Sequence, residues 1–232
     1  MPKGFTRKKA GEFFARLARK NPAPETELEY KNPYTLLVAV VLSAQATDKG
    51  VNRATRSLFA QVDSPAKMVA LGEKALIEHI KTIGLFRNKA RNVIALSKDL
   101  VDRHGGEVPR NREALEALAG VGRKTANVVL NVAFGEKTIA VDTHIFRVAN
   151  RTGLAPGKTP REVEDRLLRV VPDPYLQHAH HWLILHGRYT CVARKPVCPV
   201  CVVRDLCRFT EKTREGPSLR KPVSARAKRR GR

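Results

Sequence analysis

The chain has 232 residues, 42% of them hydrophobic, and sets 44 Lys and Arg against 22 Asp and Glu, a formal net charge of +22. That apolar share excludes a wholly disordered chain, and the length suits one large domain or two modest ones. No segment reaches the ~18–20 apolar residues of a membrane span, and a field of this sign gathers polyanions, nucleic acid first among them.

The first twenty residues carry a net charge of +6. No apolar stretch of a secretion signal follows them, so the expectation is a cytoplasmic protein. Phe13, Phe14 and Leu17 then give an amphipathic helical stripe, broken by Asn21-Pro22 and Pro24. Residues 34–46, with the longest apolar run at Leu36 to Leu42, read as a helix buried almost all round. Val51, Ala54 and Leu58 repeat at helical spacing, and Ser64-Pro65 reads as an N-cap with proline at the first helical position. Leu76, Ile77, Ile80 and Ile83 mark a further face stopped by Gly84; Ala90, Val93, Ile94 and Val101 mark the next, stopped by Gly105-Gly106. Asn111 caps a short helix holding Leu115 and Leu118. A glycine hairpin follows, then a helix to about Phe134, ended by Gly135. Thr138 to Val141 is the one strand-like stretch, too short to found a sheet. Asp142 caps a helix over 143–151, Thr159-Pro160-Arg161-Glu162 is a capping box, and Pro174 opens a helix carrying Trp182 and Leu183. The fold class is therefore all-α. A basic tail without apolar period fills the C-terminal end from about residue 212.

Within the hairpin, "AGVGRKTANVV" (119–129) puts Lys124 in the first turn of a helix. A helix N-terminus carries roughly half a unit of positive charge, so a cation there is out of place. The same free N–H groups bind phosphate, and short helix, glycine turn, helix is a unit that grips a nucleic-acid backbone without reading sequence. Gly-x-Gly alone reads equally as an ordinary turn. A lysine beside helix-end charge in a partly dry pocket has its pKa lowered, and a neutral amine is a nucleophile that forms Schiff bases. The plainer reading of Lys124 is a surface contact to phosphate. Asp142, a helix cap in its own right, would stand near it to stabilise positive charge or manage protons.

All four cysteines, Cys191, Cys198, Cys201 and Cys207, lie within 17 residues. Such crowding reads as a metal site rather than a disulfide framework. Four thiolates suit either a structural zinc or a [4Fe–4S] cluster, and spacing alone leaves both open.

"LSAQATD" (42–48), "GVGRKTANVVLN" (120–131), "AVDTHIFRV" (140–148), "HHWLILHGRYTC" (180–191) and the Cys-x6-Cys-x2-Cys-x5-Cys spacing together resemble the endonuclease III family of bacterial DNA glycosylases over about residues 20–210. The resemblance implies two helical domains flanking a DNA-binding cleft. One is a six-helix barrel over 25–136 with a helix–hairpin–helix at about 112–131; the other is an iron–sulfur domain from 1–24 and 137–211. It makes Lys124 the nucleophile, Asp142 the second catalytic residue and the four cysteines the ligands of a [4Fe–4S] cluster. It places Gln45, Leu85, Gly120, Gly122, Arg123, His144, Arg194 and Lys195 against DNA, Gln45 filling the vacated stack and Leu85 wedging from the other strand. The implied activity is excision of oxidised pyrimidines from duplex DNA followed by β-elimination, by a monomer. The alternatives are an adenine-type monofunctional glycosylase, which commonly lacks the lysine, and a non-catalytic DNA-binding module. Two features depart from the pattern: Ala119 stands where proline is common, and the basic tail, an added source of non-specific DNA affinity, runs past the usual end.

Overall fold

The computed structural model describes residues 4–214; residues 1–3 and 215–232, and with them most of the expected basic tail, lie outside the described residues. Among the described residues there are ten α-helices and no strand. They are α1 Arg7–Lys20, α2 Pro33–Leu42, α3 Asp48–Gln61, α4 Pro65–Ile80, α5 Phe86–His104, α6 Arg112–Glu116, α7 Arg123–Phe134, α8 Thr143–Thr152, α9 Pro160–Val170 and α10 Asp173–Tyr189.

Local chemistry sets most boundaries. Asn32 and Thr35 cap α2 reciprocally: the Asn32 side chain accepts from the Thr35 N–H at 2.9 Å, and the Thr35 hydroxyl accepts from the Asn32 N–H at 3.0 Å. Ser64, Asn111, Asp142 and Thr159 cap α4, α6, α8 and α9 through their side chains. Left-handed glycines at Gly105, Gly135 and Gly153 close α5, α7 and α8. Four expectations differ. The face carried to Ile83 and stopped at Gly84 belongs to a helix that ends at Ile80, and the short helix after Asn111 ends at Glu116, before Leu118. The helix read over 34–46 ends at Leu42, because the chain turns through Ser43 to Gln45, which adopts a left-handed φ of +54°. The separate helical faces read after Ser64-Pro65 and around Leu76 are two helical pieces of α4, parted at Gly72 with φ +78° and ψ +164°. The Glu162 carboxylate accepts from the N–H of Lys158 at 3.0 Å rather than from the cap residue Thr159, so the reciprocal half of that box falls one residue early.

Buried apolar side chains gather in two clusters. The first is built from α2 to α7, with α2 at its centre: Leu36, Leu37, Val38 and Leu42 are wholly buried. Each contributes about 1.5–3 kcal/mol from burial. The second joins Phe13, Phe14 and Leu17 of α1 to Ile145 and Val148 of α8, Val163 and Leu167 of α9, Trp182 and Leu183 of α10, and Val203 and Leu206 beyond. Residues 138–141 pass between the clusters. Ile139 and Val141 join the second and Ala140 the first. The alternation that reads as a strand is thus an extended crossing between two cores, and its polar atoms bond to helices instead of a sheet. The Thr138 hydroxyl donates to the Asn127 carbonyl at 2.6 Å, and Asn131 Nδ2 donates to the Thr138 carbonyl at 3.3 Å.

Candidate active site

The hairpin between α6 and α7 has room for only one side-chain pattern. Gly120 has φ +75°, and a Cβ there would lie 2.8 Å from Asn92 Nδ2 and 2.9 Å from Asn92 Cβ. A Cβ on Gly122 would meet nothing within 4 Å, so the N-terminus of α7, which has no side-chain cap, opens onto free space. Arg123, the first residue of α7, turns away from that opening. Its guanidinium donates to both oxygens of Glu164, from Nε at 2.9 Å and Nη2 at 2.8 Å, and Asn127 Nδ2 donates to the same carboxylate at 3.1 Å. The Glu164 side chain is 5% exposed, so three charge-satisfying bonds lock α7 onto α9, across the two cores.

Lys124 lies next, in a cleft of about 820 Å³ lined by residues 43–48, Lys124, residues 141–144, Phe146, Pro160, Ile184 and Arg188. Its side chain reaches water, but the cleft walls displace most of the surrounding solvent. That desolvation lowers the ammonium pKa. Asp142 and then Asp48 pull it back up, and Arg188 adds a smaller push down. Asp142 accepts the Ile145 N–H through Oδ1 at 2.8 Å as the cap of α8. The close crossing of α8 and α10 that frames this wall depends on Gly187, where a Cβ would stand 2.9 Å from His144 Cβ. His144 lines the cleft, its ring 3.2 Å from Arg147 Nη2.

Two cleft residues went unmarked by sequence reasoning although both sit inside quoted motifs. Arg188 Nη1 donates to Asp48 Oδ2 at 2.5 Å and also to Glu27, tying α10 to α3 and to the segment before α2. Asp48 and Arg188 are 140 positions apart, and no local pattern announces their pairing.

The other sequence-marked positions fall on exposed loops. Gln45, Leu85 and Lys195 are the three non-glycine residues with positive φ among the described residues, at +54°, +59° and +51°. Such backbone costs energy and concentrates at functional loops. Leu85 is 59% exposed and belongs to neither core. The Gln45 and Leu85 loops adjoin, with a Cβ on Gly84 placed 4.0 Å from the Gln45 carbonyl oxygen. Arg194 and Lys195 are exposed on the loop between Cys191 and Cys198.

Cys191, Cys198, Cys201 and Cys207 are all free thiols and line one small cavity. Zinc, with Zn–S near 2.3 Å, would draw its sulfurs to within about 4 Å of one another. Among the described residues no three His, Cys, Asp or Glu groups converge to hold a single ion, although the four thiols surround common space. That donor set fits a polynuclear iron–sulfur group. Burial pushes the Cys201 thiol up to about 11 and raises Cys191 as well, so the thiolates need the positive charge of bound iron. Arg151 braces the loop, donating to the Val192 carbonyl at 2.8 Å and the Ala193 carbonyl at 3.1 Å, with Nη1 3.7 Å from Cys191 Sγ.

Residues 38–173 match the HhH-GPD superfamily of base excision DNA repair proteins, and residues 191–207 match the iron–sulfur binding domain of endonuclease III. Endonuclease III of Haemophilus influenzae is 61% identical over 201 residues, covering 87% of this chain and 95% of that one. Endonuclease III of Escherichia coli strain K12 is 58% identical over the same length and coverage. A solved structure of a trapped endonuclease III–DNA covalent intermediate superposes with a TM-score of 0.82 at 44% identity, covering 88% of this chain and 96% of that one.

Proposed function

Because the chain belongs to the endonuclease III family, we propose that Lys124 is its nucleophile and Asp142 the carboxylate that serves it. The chain is a base excision repair DNA glycosylase and abasic-site lyase, with DNA as its partner and an iron–sulfur cluster as its cofactor. The observation that carries the residue assignment is the cleft itself: a lysine with a depressed pKa, walled by two carboxylates, at the mouth of a phosphate-binding hairpin. The target carbon is hidden in a duplex, so the damaged nucleotide swings out into the cleft. The neutral Lys124 amine bonds to C1′ as the bond to the base breaks, and Asp142 stabilises the oxocarbenium-like charge. The C1′–O4′ bond then opens, O4′ taking a proton as the C=N bond of the Schiff base forms; the Schiff base acidifies the C2′ proton, and β-elimination breaks the 3′ phosphate bond.

The substrates are oxidised pyrimidines, the working form is a monomer, and its DNA places it at the nucleoid in the cytoplasm. Residues 25–136 form the barrel domain and residues 1–24 with 137–211 the cluster domain. Gly120 and Gly122 present backbone N–H groups to one phosphate, and Arg123 serves that surface through the hairpin it braces. Gln45 and Leu85 enter the stack from their adjoining loops, His144 lines the flipped nucleotide, and Arg194 and Lys195 meet flanking phosphate. Cys191, Cys198, Cys201 and Cys207 would hold a [4Fe–4S] cluster, whose contribution is to fix that basic loop. Borohydride should trap the parent protein on abasic DNA as a covalent adduct. Lys124→Ala should give neither adduct nor strand scission; an adduct with that variant would displace Lys124 as the nucleophile.

A further inference from the structure

Lys124 has a second opening. A narrow cavity of about 40 Å³ lies against it, lined in part by Ser43, Asp48, His180, His181 and Arg188. The cavity shares Ser43, Asp48, Lys124 and Arg188 with the cleft. It shares Glu25, Thr26, Leu28 and His181 with a separate groove of about 450 Å³ between residues 24–30, α7 and α10. No residue lines both the groove and the cleft. One water occupies roughly 10–15 Å³ by this measure, so the cavity holds a few waters and no base.

Its walls are built for water. The His180 ring nitrogen Nδ1 lies 3.1 Å from the Ala140 carbonyl and donates to it, which leaves Nε2 as an acceptor. The His180 and His181 rings meet edge-to-face at 5.1 Å. His181 Nδ1 and Asn131 Oδ1, on residues that line the groove, have no protein partner. Buried polar atoms of this kind are satisfied by water. Burial first, then His181, Lys124 and Arg188, holds His180 well below its usual range, and burial with His178 brings His181 to about 4. Both rings thus offer lone pairs without capturing a proton.

We propose that this cavity and the groove beyond it are a water-filled proton exit for Lys124, used when DNA fills the cleft. The proposal rests on Lys124 being the nucleophile. The ammonium gives one proton to cavity water, which relays it past His181 and Thr26 to bulk solvent beside Glu25. The freed lone pair then forms the bond to C1′; the glycosidic electron pair leaves with the base, which takes a proton from water. The charges facing Lys124 are Asp142 from the start of α8, Asp48 from α3, and Arg188 and His180 from α10. Tyr34 of α2 is bonded to Ser97, Glu116 of α6 faces Arg123, Glu164 of α9 is taken up by Arg123 and Asn127, and Glu27, which lines the cavity, is bonded to Arg188.

The test closes the exit without touching the cleft. Thr26→Trp plugs the mouth from a half-exposed position, and His181→Phe removes the buried nitrogens. Each variant is bound to abasic-site DNA and the rate of borohydride trapping is followed against pH, with visible cluster absorption and melting reporting the fold. Both should slow adduct formation by on the order of 10- to 100-fold, most at acidic pH, with DNA affinity unchanged. If His181→Phe does not fold, Thr26→Trp decides alone. A folded Thr26→Trp protein with the parent's rate and pH profile overturns the exit and leaves the proton to Asp142. A parent protein that forms no adduct at all would instead overturn the assignment of Lys124.

Discussion

At Lys124 two opposing influences set the reactive fraction, and they can be moved separately. Desolvation lowers the pKa, so the neutral amine accumulates as pH rises through the lowered value; on the proposed role of Lys124, the adduct rate should climb with it to a plateau. Asp142 and Asp48 hold the proton on; Arg188 pushes it off. Arg188→Ala removes the repelling charge and also unmasks Asp48 and Glu27, so the acid limb of the rate profile should shift to higher pH. Asp142→Asn should shift the limb to lower pH while the plateau rate falls, with about 1 kcal/mol of stability lost from the α8 cap. Limbs moving in the same direction in both variants would contradict this electrostatic account. Lys124 and Asp142 are legible in the sequence because each breaks or fulfils a local rule, the cation at a helix start and the cap at another. Asp48, Arg188 and Glu164 obey no local rule; their meaning comes from partners 140 and 41 positions away.

Among the elements, the hairpin has the tightest requirements. Gly120 combines a positive φ with a Cβ position already filled by Asn92 of α5. Gly120→Ala should cost about 1–3 kcal/mol and weaken DNA binding, since both backbone strain and overlap must be absorbed. Asn92→Ala should recover part of the loss by vacating the space, leaving the φ strain. Full recovery would mean that strain contributes nothing, and denaturant melts of the four proteins decide it. Helix starts were readable where a capping side chain marked them, and Gly105 and Gly135 marked two ends, but the stop read at Gly84 lies four residues past the end of α4. The two faces within α4 were readable, but Gly72 as the point that parts them was not. Nor was the crossing at 138–141, whose alternation is that of a strand although two cores, and no neighbouring strand, impose it.

At the scale of the whole molecule, positive charge continues past the described residues. The segment from 211 to 232 carries a net +7, and a polyanion is the established partner. Removing residues after 214 should leave trapping and strand scission intact and flatten the dependence of DNA affinity on salt, by about 0.9 for each phosphate no longer neutralised. An unchanged slope would show that this segment takes no part in binding. The +22 of the whole chain pointed to a nucleic-acid partner but fitted a soluble protein with basic tails equally well; composition alone did not choose between them. The two-core arrangement was not readable from composition, since apolar residues assigned to either core look alike until the chain is folded.

The helix α1 precedes the barrel helices in the chain, yet Phe13 and Phe14 pack on His186 and Trp182 of α10, and Arg16 bonds to the Val202 carbonyl and to Asp205. The barrel residues between are contiguous and can settle while synthesis continues. Until the cysteine loop emerges, the nascent chain must carry an amphipathic helix with its oily side uncovered. The second core is therefore completed only when residues from α1 meet residues almost two hundred positions further along.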